Sequence, residues 1–117
     1  MKVLVSGSRR WTLEGAVFAR LCALDDYDTQ ILVGDCPTGV DSFVMRWRDG
    51  ASGFVTQFKA DWDKHGKAAG PIRNLEMFAQ NPDFVIVFRK YGLSRGSDHV
   101  IEEAKKRQLP LEVYYSR

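Results

Sequence analysis

The sequence predicts an α/β fold, a three-layer Rossmann-like sandwich with a mostly parallel five-stranded sheet. Three observations carry that prediction. Short apolar runs alternate with segments of helical period from one end of the chain to the other. Most of the runs are continuously apolar, the pattern of strands covered on both faces. At 117 residues the chain can build one core but not two ordinary domains, so residues 1–117 are read as a single domain.

The first strand is Val3-Leu4-Val5, and Leu13, Val17, Leu21 and Leu24 form the stripe of the helix that follows. Ile31-Leu32-Val33 is the second strand. Val40, Phe43, Val44 and Trp47, at i, i+3, i+4 and i+7, make the next helix, and Thr38 followed by Asp41 gives it a capping-box-like start. Phe54-Val55-Thr56-Gln57-Phe58 has polar residues interspersed and reads as a peripheral strand. A third helix is expected from Pro71, a residue favoured in the first helical turn, with Ile72, Leu75 and Phe78 inward. Phe84–Phe88 is the fourth strand. A helix from about Ser97 to about Gln108 turns Val100, Ile101 and Ala104 inward and stops before Pro110. Leu111–Tyr115 closes the sheet. Strict alternation implies right-handed crossovers.

Composition excludes several classes. Hydrophobic residues make up 44% and charged residues 27% of the chain, a globular balance rather than a disordered one. No apolar run approaches the roughly 20 residues of a membrane helix, and the apolar start Met1–Val5 is too short for a signal peptide. A cytoplasmic protein without membrane contact is expected. Two cysteines and two histidines supply neither a disulfide framework nor a metal-ligand set, and no cofactor is expected. The net charge of +2 exerts no strong pull on nucleic acid.

In a parallel sheet, ligands bind beyond the carboxyl ends of the strands. The loops there are where chemistry is expected. After the first strand, Gly7 permits a tight turn, Ser8 and the following N–H groups suit a phosphate, and Arg9 adds a planar cationic fork. After the second, Asp41 is either a helix cap, which its spacing from Thr38 favours, or a contact to a ribose hydroxyl or amino group. Cys36 reads as an incidental cysteine with no His nearby in sequence. The stretch from Ala60 to Asn74 is long for an α/β connection, and long ordered loops are commonly functional. There Trp62 is a candidate stacking surface or a core cap, Lys67 a candidate cationic contact, and Arg73 and Asn74 candidate ligand contacts one turn inside a helix. Gly96 and Ser97, at a helix start, repeat the phosphate-type arrangement.

Taken together, Gly7-Ser8-Arg9, Gly34-(x)4-Gly39-Val40-Asp41, Asp61-Trp62, the run His65–Asn74 and Gly96-Ser97-Asp98 resemble the YspA/YpsA-related branch of the SLOG superfamily. Its members are Rossmann-like proteins related to the DNA-processing protein Smf/DprA and to the LOG phosphoribohydrolases. The resemblance spans nearly the whole chain. It implies a nucleotide-type pocket and a homo-oligomer, with Phe78, Tyr114 and Tyr115 as candidate interface or core residues. It also contains a departure. The LOG phosphate loop has the form P-G-G-x-G-T-x-x-E, and here Gly96-Ser97 align with its Gly-Thr while Val100 stands where the catalytic Glu belongs.

Three functions follow as expectations. The first is a sensor or sequestering protein for a nucleotide or nucleotide-derived small molecule, using Gly7, Ser8, Arg9, Asp41, Trp62, Lys67, Arg73, Asn74, Gly96 and Ser97. The second is a LOG-type phosphoribohydrolase acting on nucleoside monophosphates, which the loss of the Glu opposes, since valine can neither position water nor stabilise a developing cation. The third is a DprA-like module that stacks single-stranded nucleic acid on Trp11 or Trp62, which the small net charge opposes.

Overall fold

The computed structural model describes residues 1–117. Its strands are β1 (Lys2–Gly7), β2 (Gln30–Val33), β3 (Phe54–Gln57), β4 (Phe84–Lys90) and β5 (Leu111–Ser116). Its helices are α1 (Glu14–Leu24), α2 (Val40–Trp47), α3 (Trp62–His65), α4 (Ala69–Phe78) and α5 (Arg95–Lys106), with 3₁₀ turns at Arg48–Gly50 and Gly66–Ala68. The strands form one sheet in the order β3-β2-β1-β4-β5, and every pairing is parallel. The fold is the Rossmann-like α/β sandwich that the alternating pattern implies.

Continuous apolar strands serve both faces at once. Val3, Val5, Ile31, Val33, Ile86 and Phe88 pack on one side with Val17 and Leu21 of α1 and Val40, Val44 and Trp47 of α2. The residues between them, Leu4, Leu32, Val85 and Val87, pack on the other with Met77 and Phe78 of α4 and Val100, Ile101 and Ala104 of α5. Phe78 is therefore core, and of the three candidate interface residues only Tyr114 and Tyr115 are exposed. No helix is long and apolar enough to cross a membrane.

Three local expectations are corrected. Helix α2 is not capped by Thr38 or Asp41: its N-cap is Gly39, at φ 72°, with no side-chain cap hydrogen bond. A Cβ on Gly39 would run into the Ser8 carbonyl, so close approach of the β1–α1 loop selects glycine and leaves no room for a capping side chain. The stretch after β3 is mostly helical rather than an open loop, and α4 starts at Ala69. Gly70 and Pro71 fall in its first turn, where the missing proline N–H would have no helical partner anyway. Finally, Leu75 is exposed rather than inward, the apolar stripe of α4 passing instead through Ala69, Met77 and Phe78.

Candidate functional site

Strand order reverses between β1 and β4: from β1 the chain proceeds outward to β2 and β3, then crosses back to place β4 on the other side of β1. The loops leaving the two strands diverge there, opening a crevice. Gly7 is paired with Phe88 at this point, and a Cβ on it would strike the Phe88 carbonyl and the Val40 side chain. The resulting cleft has a volume of about 600 Å³ and is bounded by the β1–α1, β2–α2 and β4–α5 loops and by α4.

One end gathers groups that favour negative charge. Ser8 is 5% exposed, and its Oγ accepts the Lys90 backbone N–H at 2.9 Å and lies 2.8 Å from Ser94 Oγ. Ser94 in turn donates to Ser97 Oγ at 2.9 Å. Because the Ser94 hydroxyl is engaged in this chain it does not cap α5, and the first-turn N–H groups of Arg95, Gly96 and Ser97 have no protein partner. Unpaired amides and the positive end of a 12-residue helix favour negative charge. Arg9, Arg10, Lys90 and Arg95 line the same region. The loop is held by Arg89, which makes two hydrogen bonds to Asp98 at 2.7 and 3.0 Å and also donates to the carbonyls of Lys90 and Gly92. That guanidinium holds the Asp98 carboxyl below its ordinary range.

The other end is amide and acid. Arg73 Nη1 is 2.7 Å from Asp35 Oδ1, and its Nε donates to Asn74 Oδ1 at 3.0 Å. With Oδ1 so engaged, Asn74 Nδ2 donates to His99 Nδ1 at 3.1 Å. Asp35 also accepts the Ala60 N–H, tying the β2–α2 loop to the segment after β3. Asp41 is 6% exposed, and its Oδ2 accepts the Cys36 N–H at 3.1 Å. Burial pushes its carboxyl up to about 6; the Cys36 N–H and Arg73 offset part of that effect and Asp35 adds to it.

Of the residues singled out in the sequence, Gly7, Ser8, Arg9, Asp41, Arg73, Asn74, Gly96 and Ser97 line this one cleft. Trp62 and Lys67 do not. Residues 62–68 wind as α3 and a 3₁₀ turn around Gly66, at φ 56°, and leave Trp62 54% exposed and Lys67 exposed on the outer surface. Trp11 is buried and bonds Leu13 O through its indole N–H, so it is no stacking platform. Val100, which the resemblance sets against the LOG glutamate, is fully buried in the core. The sequence reading missed Ser94, Tyr91 and the two orienting partners Asp35 and His99. Ser94 was legible in principle, as a hydroxyl residue immediately before a helix start; the other three are read only through tertiary contacts.

No model of a known protein family matches the sequence. The chain is 35% identical to the Gene 61 protein of Mycobacterium phage D29 over 118 aligned positions, covering 94% of this chain and 93% of that protein.

Proposed function

We propose that this chain, which belongs to the family of the Mycobacterium phage D29 Gene 61 protein, is a SLOG-type binding protein that senses or sequesters a nucleotide-derived, phosphate-bearing small molecule. The observation that carries the reading is the convergence, at the β1/β4 switch point, of the unpaired α5 amides, the Ser8–Ser94–Ser97 hydroxyl chain and a cationic rim. Such a site satisfies the oxygens of a phosphate from several directions at once. A cleft of about 600 Å³ also has the capacity for a nucleoside monophosphate or somewhat more.

Binding without turnover is the better-supported form. Of the carboxylates flanking Val100 on α5, Asp98 is committed to Arg89 and Glu103 to Arg107, and Glu102 is exposed and does not line the cleft. The cleft itself offers no tryptophan on which single-stranded nucleic acid could stack, Trp11 being buried and Trp62 exposed outside it. The resemblance to SLOG proteins also suggests self-association, and the exposed Leu13, Tyr114 and Tyr115 beside the edge strand β5 are the surface we propose for it.

The test is a thermal-shift screen of nucleoside monophosphates, ADP-ribose, NAD and cyclic nucleotides, with chromatography of each mixture. At least one compound should raise the melting temperature, because a ligand bound only to the folded state stabilises it, and should be recovered intact. Ser97→Ala, which removes the one hydroxyl of the chain whose proton has no protein acceptor, should weaken that ligand by about tenfold, the loss of one hydrogen bond to a charged group. Recovery of free base would transfer the assignment to a hydrolase. If no phosphate compound shifts the transition, the reading fails.

A further inference from the structure

Tyr91 is the one aromatic side chain that lines the cleft, and binding of a phosphate gives no reason for it. Its side chain is 61% exposed, yet it is held rather than free. The ring stacks on that of Tyr115 in β5, the centroids 5.6 Å apart and the planes 20° from parallel, an offset stack. The backbone beneath it is braced as well. The Tyr91 N–H donates to the Ser116 carbonyl at 2.7 Å, and the carbonyls of its two neighbours, Lys90 and Gly92, both accept from the Arg89 guanidinium. That same guanidinium is bound to Asp98 in the first turn of α5. The ring and the unpaired α5 amides therefore belong to one braced unit.

The two faces of the Tyr91 ring have different surroundings. Tyr115 lines the apolar groove between α1 and β5 but not the cleft, whereas Tyr91 lines the cleft but not the groove. Tyr115 thus covers the groove-side face of Tyr91, and the face left open is turned to the cleft. A ring stacked on one side and open on the other is a platform for a further flat ring. Charge decides what that ring carries. Lys90 and Arg95, before and after Tyr91 in the chain, both line the cleft, and neither is in an ion pair. They repel a cationic aromatic and attract one attached to an anion.

We propose that the Tyr91 ring, backed by Tyr115, is the stacking platform for a base attached to the bound phosphate, so that the cleft prefers nucleotides to sugar phosphates without a base. This deepens the phosphate-binding reading and rests on it. Tyr91 is the contact; Tyr115, which does not reach the cleft, is a positioning residue that acts through it. Every base has a π-face, so the platform tolerates different bases, and a purine, with more area to overlap, is preferred to a pyrimidine.

The experiment is calorimetric titration of the intact protein with inorganic phosphate, ribose 5-phosphate and adenosine monophosphate, which differ first by the sugar and then by the base. Adenosine monophosphate should bind about fivefold to a hundredfold more tightly than ribose 5-phosphate, the range of one base–aromatic stack. Tyr91→Leu should bring the two compounds within about threefold of each other, while Tyr91→Phe keeps the ratio. Tyr115→Leu should lower the ratio with ribose 5-phosphate affinity unchanged, a pattern that general loosening of the fold does not produce. Equal affinities for the two compounds in the wild-type protein overturn the inference and leave the phosphate reading intact. A ratio that survives in Tyr91→Leu overturns the assignment to Tyr91, and one that survives in Tyr115→Leu overturns the backing role. If none of the three compounds binds, both readings fall together. The wild-type comparison needs no variant, so a poorly folding mutant does not protect the proposal.

Discussion

At the scale of single residues, Asp41 carries the sharpest consequence for stability. Its carboxyl is raised from an ordinary 3.8 to about 6, with burial the largest cause. A group that holds its proton more tightly when folded stabilises the fold in its protonated form and loses that contribution as pH rises through the folded value. For a shift of about 2 units the loss approaches 3 kcal/mol, complete above about pH 7 and absent below about pH 4. Asp41→Asn should therefore unfold at higher urea than wild type near pH 8, by up to about 3 kcal/mol, and match it near pH 4. A variant less stable at both values would mean that the Cys36 contact outweighs desolvation. The same residue shows where sequence reading stops. Spacing from Thr38 allowed a cap or a ligand contact, and only the approach of the Ser8 carbonyl to Gly39 removes the first option. Trp62 shows another limit: the sequence left a stacking surface and a core cap open, and its 54% exposure removes the cap while its place on α3 sets it outside the cleft.

At the scale of elements, the strands were readable because a doubly covered strand must be apolar at every position, and Val3–Val5, Ile31–Val33 and Phe84–Phe88 satisfy that rule without help from context. The segment from Ala60 to Gly70 was not, because Gly66 and Gly70 look like breakers ahead of the helix expected from Pro71, whereas residues 62–68 wind into short helical turns and α4 starts at Ala69. Glycines also separate by element. Gly39 sits at φ 72° against the Ser8 carbonyl, whereas Gly15 lies within α1 with open space around it. Gly39→Ala should cost about 1–3 kcal/mol from backbone strain alone and lower the melting temperature accordingly, displacing the start of α2 and Asp41 with it. Gly15→Ala should instead gain up to about 1 kcal/mol through helix propensity. Differential scanning calorimetry of the pair checks both signs; equal effects would show that the β1–α1 and β2–α2 loops are not locked together as described.

At the scale of the whole molecule, a net charge of +2 conceals a strong local asymmetry. Arg9, Arg10, Arg73, Lys90 and Arg95 line one cleft against a single acid, Asp41. Composition alone could not reveal this, because the clustering arises from strand order, which brings together loops some 80 residues apart. On the proposed reading the asymmetry serves a small anion better than a polymer, since a single phosphate contacted implies a shallow salt dependence. Between about 50 and 200 mM salt, affinity for a mononucleotide should fall by less than about tenfold, where a protein contacting 6–10 phosphates of a nucleic acid loses about 10³–10⁵. A steep dependence in titrations with oligonucleotides would redirect attention to the basic surface outside the cleft.

The crossover that sets β4 beside β1 also determines which motions a bound ligand can quiet. Ser8 bonds Phe88 and Lys90 directly, so separating the two strands dismantles the cleft, whereas fraying of the edge strand β3 leaves the groups around Ser8 and the start of α5 in place. Amide hydrogens exposed only by the first kind of opening become slower to exchange when the cleft is filled, and those exposed by the second keep their rates. Occupancy of the cleft thus stiffens the centre of the sheet without stiffening its β3 border.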